Sequence, residues 1–597
     1  MKFCILSKKL EQIENLNSRN EITQILADLF LELDPNEAKN CSYLLLGRLV
    51  PTYESLEFNM ATKTIIKSIS LAFDLTEKKV KEEYEQVGDI GEVVMSFSKK
   101  LDSDLKIVEV FNILTTIAID NGYGTVDRKI VALSHLLKGL DNLSAKYVVR
   151  IIEKKLRLGF SEMTIIDSLS FMISGDKSLR EMLEDSFNVS ADIGNLVYLA
   201  KTNPLEDIKK IEVTVGVPIR SALPERIPSI SDLFEKLGEH LVEPKFDGIR
   251  AQIHVDKLKK VEEYNVAQES LFAEEKRDKY FVKIFSRSME DITDMIPEIA
   301  DSAVKINAES FILDCEVIGY DPKTKELLPF QETIKRRRKH GVEGKAELIP
   351  LKAFVFDILY LNGKSLIKAP FNLRRNEMEK LLSKEKVINL IEINTVKTES
   401  QLLKIWEKYV DMGLEGVISK KPEAIYTPGK RNFNWIKLKK VNESSVEDTI
   451  DCIVMGYYAG KGARQKFGIG GFLVGVLDNK TGEIQSLSKV GTGLTDEEWV
   501  HLRGKIDNII SKEKPKNYIV DKSLYPDVWA SPELIVEIKA DEITLSPTHK
   551  AGKHFLENNK GLALRFPRLI KIRDKKLEDS TSSLEVFEMY KDQSVQK

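Results

Sequence analysis

The sequence has few cysteines, no long apolar run and almost no net charge. Its four cysteines, Cys4, Cys41, Cys315 and Cys452, stand far apart without a Cys-x-x-Cys pair. That spacing argues against a zinc knuckle or a disulfide framework and fits a reducing compartment. At the start only Phe3 to Leu6 is apolar before charge intervenes, and no uninterrupted stretch reaches bilayer-spanning length. A cytoplasmic chain without a membrane partner is expected. There is no low-complexity tract and no internal repeat. Gly468-Ile469-Gly470-Gly471 lacks the strand, helix and acidic partner of a dinucleotide-binding loop. The formal charge of -3 conceals 90 basic and 93 acidic residues, so attraction to a polyanion would have to come from local patches.

What is present is enough for several domains: 597 residues exceed one hydrophobic core, and 42% hydrophobic with 31% charged residues fit a globular protein. Up to about Pro218 apolar residues recur at helical spacing, as in Val110-Ile113-Leu114-Ile117, so residues 1–218 are expected to form an all-α domain. Glycines and cations meet there at Asn121 to Lys129 and at Arg150, Lys154, Lys155 and Arg157 before Gly159. Helix ends of that kind can approach phosphates, although a solvated surface explains them equally well. Pro218, Pro224 and Pro228 mark the change to mixed strands and helices over 219–441. Strands with glycine-rich turns dominate 442–597, where a small β-barrel and a C-terminal tail are expected. A charged stretch between His254 and Ile284 reads as a surface excursion, and the basic run Lys335 to Lys339 as a nuclear-targeting or DNA-contact segment or, at least equally well, a solvated helix face.

The strongest chemical signal is Glu243-Pro244-Lys245-Phe246-Asp247-Gly248-Ile249-Arg250. In an extended segment Lys245 and Asp247 point one way and Phe246 the other, Gly248 lets backbone approach a ligand, and Arg250 adds a fixed cation. A lysine is a nucleophile only when unprotonated, which requires nearby cations or desolvation. Arg431, Lys437 and Lys439 are the candidate cations; the last two share a strand face, and all three could bind the triphosphate whose α-phosphorus Lys245 attacks. Glu316 and Glu415 each lie in a largely apolar segment. Either alone suits a structural ion pair; beside the lysine motif both suit Mg²⁺ (or Mn²⁺).

This ordered set resembles the covalent nucleotidyltransferase superfamily, and within it the archaeal and eukaryotic-type ATP-dependent DNA ligases, over nearly the whole chain. The resemblance implies an α/β adenylation domain of antiparallel sheets and helices, preceded by a helical DNA-binding domain and followed by an OB-fold. It implies AMP carried on Lys245, adenine stacked on Phe356 and read at its edge by Glu243, and Arg250 on ribose or phosphate. Glu316 would hold the ribose or the metal, Glu415 would hold the metal, and Arg431, Lys437 and Lys439 would hold phosphates. Phe285-Ser286-Arg287-Ser288-Met289-Glu290-Asp291 matches a further family motif, which gives Arg287 to AMP or the nick phosphate. Leu564-Arg565-Phe566-Pro567-Arg568, with Lys571, Arg573, Asp574 and Lys575, matches the last motif, whose cations serve closure over ATP or DNA. Lys440 to Ser445 would be the joint. Gly88-Asp89-Ile90-Gly91, the Gly122 to Lys129 loop and Leu156-Arg157-Leu158-Gly159 match the DNA-binding domain, with Lys129 and Arg157 as its candidate phosphate contacts.

The implied reaction seals 5′-phosphate/3′-hydroxyl nicks in duplex DNA, in replication, repair and recombination, by a nucleoid-associated monomer using ATP. A sliding clamp is a candidate partner, although no Gln-xx-aliphatic-xx-aromatic-aromatic peptide stands out. An RNA ligase or a capping-type nucleotidyltransferase shares the lysine motif but not the helical third. A non-catalytic DNA clamp would have no need of such a lysine beside two carboxylates.

Overall fold

Capping residues and apolar spacing set the helical region residue by residue. In the computed structural model twelve α-helices run between Phe3 and Thr202 among the described residues, which are all but 17, 99–102, 228, 260–279, 337–348, 383–386, 440–448, 461–466, 557–559, 574–575 and 596–597. Ser18, Asp34, Thr76, Asp89, Asp141 and Asp192 each accept a hydrogen bond from a first-turn amide, satisfying donors the helix leaves open. Buried faces such as Val110, Leu114 and Ile117 follow the 3.6-residue period. Most of the charged excursion, Arg337 to Lys339 of the basic run, the joint at 440–445, Asp574 and Lys575 lie outside the described residues.

The chain divides into two compact units, one of Met1–Leu156 with Ser161–Lys439, the other of Arg157–Phe160 with Lys440–Lys597. In the first, two sheets follow the helices. One has the order β1 (Leu223–Arg226), β11 (Arg431–Lys439), β10 (Gly416–Lys420), β2 (His240–Lys245), β9 (Asn394–Val396). It packs Val242, Val417, Ile436 and Leu438 against the helices Ile230–Leu237 and Glu399–Asp411. The other sheet runs β4 (Phe281–Ser286), β3 (Ile249–Asp256), β5 (Ser310–Gly319), β6 (Leu351–Leu361), β7 (Lys364–Ser365), with β8 (Ile388–Leu390) beside β6. Ile253, Leu313, Cys315 and Val355 of this sheet form a core with the helices Pro297–Ala303 and Phe371–Leu382.

The second unit is sheet-rich. Its longest strands, β12 (Ile450–Tyr458), β13 (Gly471–Leu477) and β14 (Ile484–Val490), pair antiparallel. Two further strands, Ile535–Lys539 and Arg568–Arg573, extend from β12, while Glu542–Ser546 and Gly561–Arg565 pair separately. Its core gathers Val454, Phe472, Val474, Leu487 and Trp499. The arrangement among the described residues is an open eight-stranded sheet with a two-stranded neighbour.

Candidate active site

Strand register builds one wall of the site. Across β2, β10 and β11 it aligns Lys245, Gly416 and Lys439 in one row, Glu243, Ile418 and Lys437 in the next, and Leu241, Lys420 and Trp435 in a third. Alternate residues of a strand share a face, so Glu243, Lys245, Lys420, Lys437 and Lys439 point into one cavity, with Arg431 at the start of β11. The cavity holds about 260 Å³.

The facing sheet supplies the other wall. In β3 and β5 Arg250 lies opposite Glu316. Phe356 falls at a register shift in β6, between the Cys315–Val355 and Asp314–Asp357 pairs, and bulged positions are where a sheet can re-aim a side chain. Arg250, Arg287, Glu316 and Phe356 all line the cavity. The expected alternation after Lys245 does not hold, because β2 ends at Lys245: Phe246 also lines the cavity and stacks on Phe354 with ring centroids 4.5 Å apart. Gly248 fits closely, since a Cβ there would come within 2.6 Å of the Val317 carbonyl oxygen and 3.0 Å of Glu316 Cγ.

Lys245 is paired with a carboxylate as well as set among cations. Its Nζ lies 2.6 Å from Glu415 Oε2, and Lys439 reaches the same oxygen at 3.0 Å. Burial alone would raise the Glu415 carboxyl, but these two ammonium groups hold it at about 2. Burial raises Glu316 to about 7, even though Lys245, Arg250 and a hydrogen bond from the Gly248 amide favour its anion. Lys437 is shifted down, by burial first and then by the charges of Arg431, Lys439, Lys245 and Arg287. Seven cations, Lys245, Arg250, Arg287, Lys420, Arg431, Lys437 and Lys439, therefore converge on one cavity, a field suited to a polyphosphate.

Arg250 is less free than the sequence suggests. Asp314 takes its Nε and Nη2 at 3.1 and 2.7 Å, the Ala222 carbonyl takes Nη1 at 2.8 Å, and Tyr426 donates to the same Asp314. Asp314, Lys420, Tyr426 and Trp435 were not singled out from the sequence. Lys420 carried a signal of the kind that exposed Glu316, a charge inside an apolar strand, here Gly416-Val417-Ile418-Ser419-Lys420. Its Nζ bonds Glu243 Oε2 and the Phe356 carbonyl oxygen, each at 2.8 Å.

The expected polymer contacts fare differently. Lys129 is withdrawn from solvent, 4% exposed, and donates to the Phe58 carbonyl at 2.8 Å, so it is not available to a phosphate. Arg150 is buried against Asp89, Glu92 and Glu14. Both cations sit on inward faces of their helices, a direction that their polar character hid. Arg157 is exposed, with a left-handed φ of 59°. Arg565, Arg568 and Arg573 are half-buried and paired, with Glu542, with Asp541, and with Asp451 and Glu537 respectively.

Comparison with known proteins gives three family matches along the chain: "DNA ligase N terminus" over residues 2–170, "ATP dependent DNA ligase domain" over 271–439 and "ATP dependent DNA ligase C terminal region" over 465–576. A "Probable DNA ligase" of Dictyoglomus turgidum is 40% identical over 600 residues, covering 100% of this chain and 99% of the relative. "DNA ligase 2" of Korarchaeum cryptofilum is 33% identical, covering 99% and 98%. A solved structure titled "Pmar-Lig_PreS3" covers 95% of this chain and 99% of its own at a TM-score of 0.52 and 17% identity, a likeness of fold.

Proposed function

The chain belongs to the ATP-dependent DNA ligase family, and we propose that Lys245 is the residue on which it carries AMP between ATP and a DNA nick. The observation that carries this is the position of Lys245: its amine lines a cavity with Arg287, Arg431, Lys437 and Lys439, beside the carboxylate of Glu415. The amine of Lys245, once deprotonated, attacks the α-phosphorus of ATP; a phosphorus–nitrogen bond forms and the bond to pyrophosphate breaks. The 5′-phosphate oxygen of the nick then takes the adenylate and restores the amine. Finally the 3′-hydroxyl attacks the activated 5′-phosphorus, joining the strand and expelling AMP.

Glu243 and Phe356 form the adenine slot, edge and face respectively. Arg250, anchored by Asp314, offers its remaining N–H groups to ribose or phosphate oxygens, and Arg287, Arg431, Lys437 and Lys439 bind the phosphates. Glu316 and Glu415 fit Mg²⁺: both present hard oxygen donors, and Glu316 accepts a hydrogen bond from the Gly248 amide through Oε1. No group of three or more His, Cys, Asp or Glu residues suited to a metal stands among the described residues, so nucleotide oxygens would complete the coordination. When bound, Mg²⁺ would neutralise phosphate charge as it develops in the transition state. Residues 219–441 form the adenylation domain in this reading. The sheet-rich unit after them acts as the OB-type domain, its Arg565, Arg568 and Arg573 exchanging carboxylate partners for phosphates.

Incubation with Mg²⁺ and ATP labelled at the α-phosphate, followed by a chase with nicked duplex DNA, tests the assignment. Label on the parent protein and none on Lys245→Ala, discharged as the nick is sealed, is the expected result. Label retained in the Lys245→Ala protein would overturn the nucleophile, and discharge onto RNA ends alone would overturn the DNA substrate.

A further inference from the structure

We infer that Lys420 is the positioning residue that sets base selectivity: it holds Glu243 as an anion against the cavity, so that the site accepts a 6-aminopurine and rejects a 6-oxopurine. This deepens the ligase reading and rests on it. Glu243 is 1% exposed, and its two oxygens differ in use. Oε2 takes the Lys420 ammonium, whereas Oε1 is buried with no hydrogen-bond partner among the described residues, on a side chain that lines the cavity. A buried carboxylate oxygen without a partner is costly, and one facing a ligand cavity marks where a donor belongs.

The charge state decides which donor pattern fits. An ionised carboxylate only accepts hydrogen bonds, so it pairs with an exocyclic N–H and repels a carbonyl oxygen at the same place. A neutral carboxylic acid can donate and would tolerate either. Burial and the nearby Asp357 carboxylate both press Glu243 toward the neutral form, opposed mainly by Lys420 and more weakly by Arg375. Asp357 is itself held by the buried Arg374, so Lys420 remains the cation that compensates Glu243 directly. The same ammonium donates to the Phe356 carbonyl and lies 4.3 Å from the centroid of Trp435. One cation thus ties the base-edge reader to the backbone of the stacking ring.

The test compares ATP with ITP, which differ at purine position 6, as α-labelled substrates for labelling of Lys245, taking the ratio of the two kcat/KM values within each preparation. Lys420→Met should lower the ATP-to-ITP ratio at least tenfold, and Lys420→Arg should restore most of it. Equal losses with both nucleotides, leaving the ratio at the parent value, would mean a merely structural role and overturn the inference. Should Lys420→Met fail to fold, Glu243→Gln carries the test, because its amide both donates and accepts; a parental ratio there would equally overturn it. A parent protein that takes no label from ATP would instead overturn the ligase assignment itself, so the two failures are distinguishable.

Discussion

Lys245 closes β2 and Glu415 stands immediately before β10: their side chains meet at 2.6 Å, and the Glu415 amide donates to the Lys245 carbonyl at 3.0 Å. The backbone bond fixes the register that brings the pair together. On the proposed assignment Lys245 must leave this contact, its lone pair free, before it attacks phosphorus. Glu415→Gln keeps the shape and removes the charge. Labelling by ATP should fall on the order of 10²-fold or more, by analogy with loss of one preorganised charge-stabilising group. Gel quantitation of the adenylated protein checks this, and parental labelling would exclude a metal-holding role for Glu415.

Lys437 stands in the next cross-strand row, surrounded by four other cations. Like Arg287 and Arg431 it lines the cavity, and its half-buried ammonium is placed to meet a phosphate there. Lys437→Ala should reduce the rate of adenylate formation by roughly 10²- to 10³-fold, equivalent to about 2.7–4 kcal/mol. Folding should be unaffected, because the charges around Lys437 repel it. Single-turnover labelling alongside a thermal melt separates the two effects.

Glu316 gives a pH dependence whose sign can be worked out. Its carboxyl titrates near 7 in the folded protein and at the ordinary value of 4.5 when unfolded. Between those values the folded protein holds a proton that the unfolded chain has released, so this group makes stability fall as pH rises from 4.5 to 7. Cation binding needs the anion, so the Mg²⁺ concentration for half-maximal labelling should climb as pH drops below about 7. A constant Mg²⁺ requirement from pH 8 to pH 6 would remove Glu316 from the metal site.

Gly248 shows why the turn after Lys245 carries glycine. Alanine would place its Cβ 2.6 Å from a backbone oxygen of β5 and 2.7 Å from Ile318 Cγ1, and the Val317 backbone belongs to a paired strand that cannot yield cheaply. Gly248→Ala should cost about 1–3 kcal/mol of stability through overpacking. It should also impair labelling, since the Gly248 amide holds Glu316 at 3.0 Å. Denaturant unfolding and labelling measured on one preparation check both parts.

The parts of the site legible in the sequence were those whose chemistry is local. Lys245 to Arg250 is one contiguous segment, Glu316, Lys437 and Lys439 are charges on strands whose alternation gives the facing side, and Glu415 directly precedes such a strand. The illegible parts depend on long-range pairing. Lys420 and Trp435 meet only through the register of β10 with β11, Phe356 lies at a register shift, and Asp314 matters because Arg250 and Tyr426 converge on it. The helical region failed in a different way. Glycine next to basic residues describes an exposed phosphate contact and an inward ion pair equally well, and Lys129 and Arg150 proved to be inward.

Arg150 shows what the inward ion pair does for stability. It is 2% exposed, and Asp89 takes its Nη2 at 2.6 Å, with Glu14 and Glu92 close by. Asp89 also caps its own helix by accepting from the Gly91 amide, and Gly91 packs so closely that a Cβ there would lie 2.8 Å from Arg150 Cγ. The Gly88-Asp89-Ile90-Gly91 segment is therefore a seat for this arginine. Arg150→Met fills much of the same volume but leaves Asp89 buried without its counter-charge, which should cost about 3–5 kcal/mol. Adenylation per folded molecule should be unchanged, because Arg150 is not among the residues lining the nucleotide cavity. Urea unfolding combined with labelling provides the check. A protein of parental stability with weakened DNA binding would return Arg150 to the phosphate contacts.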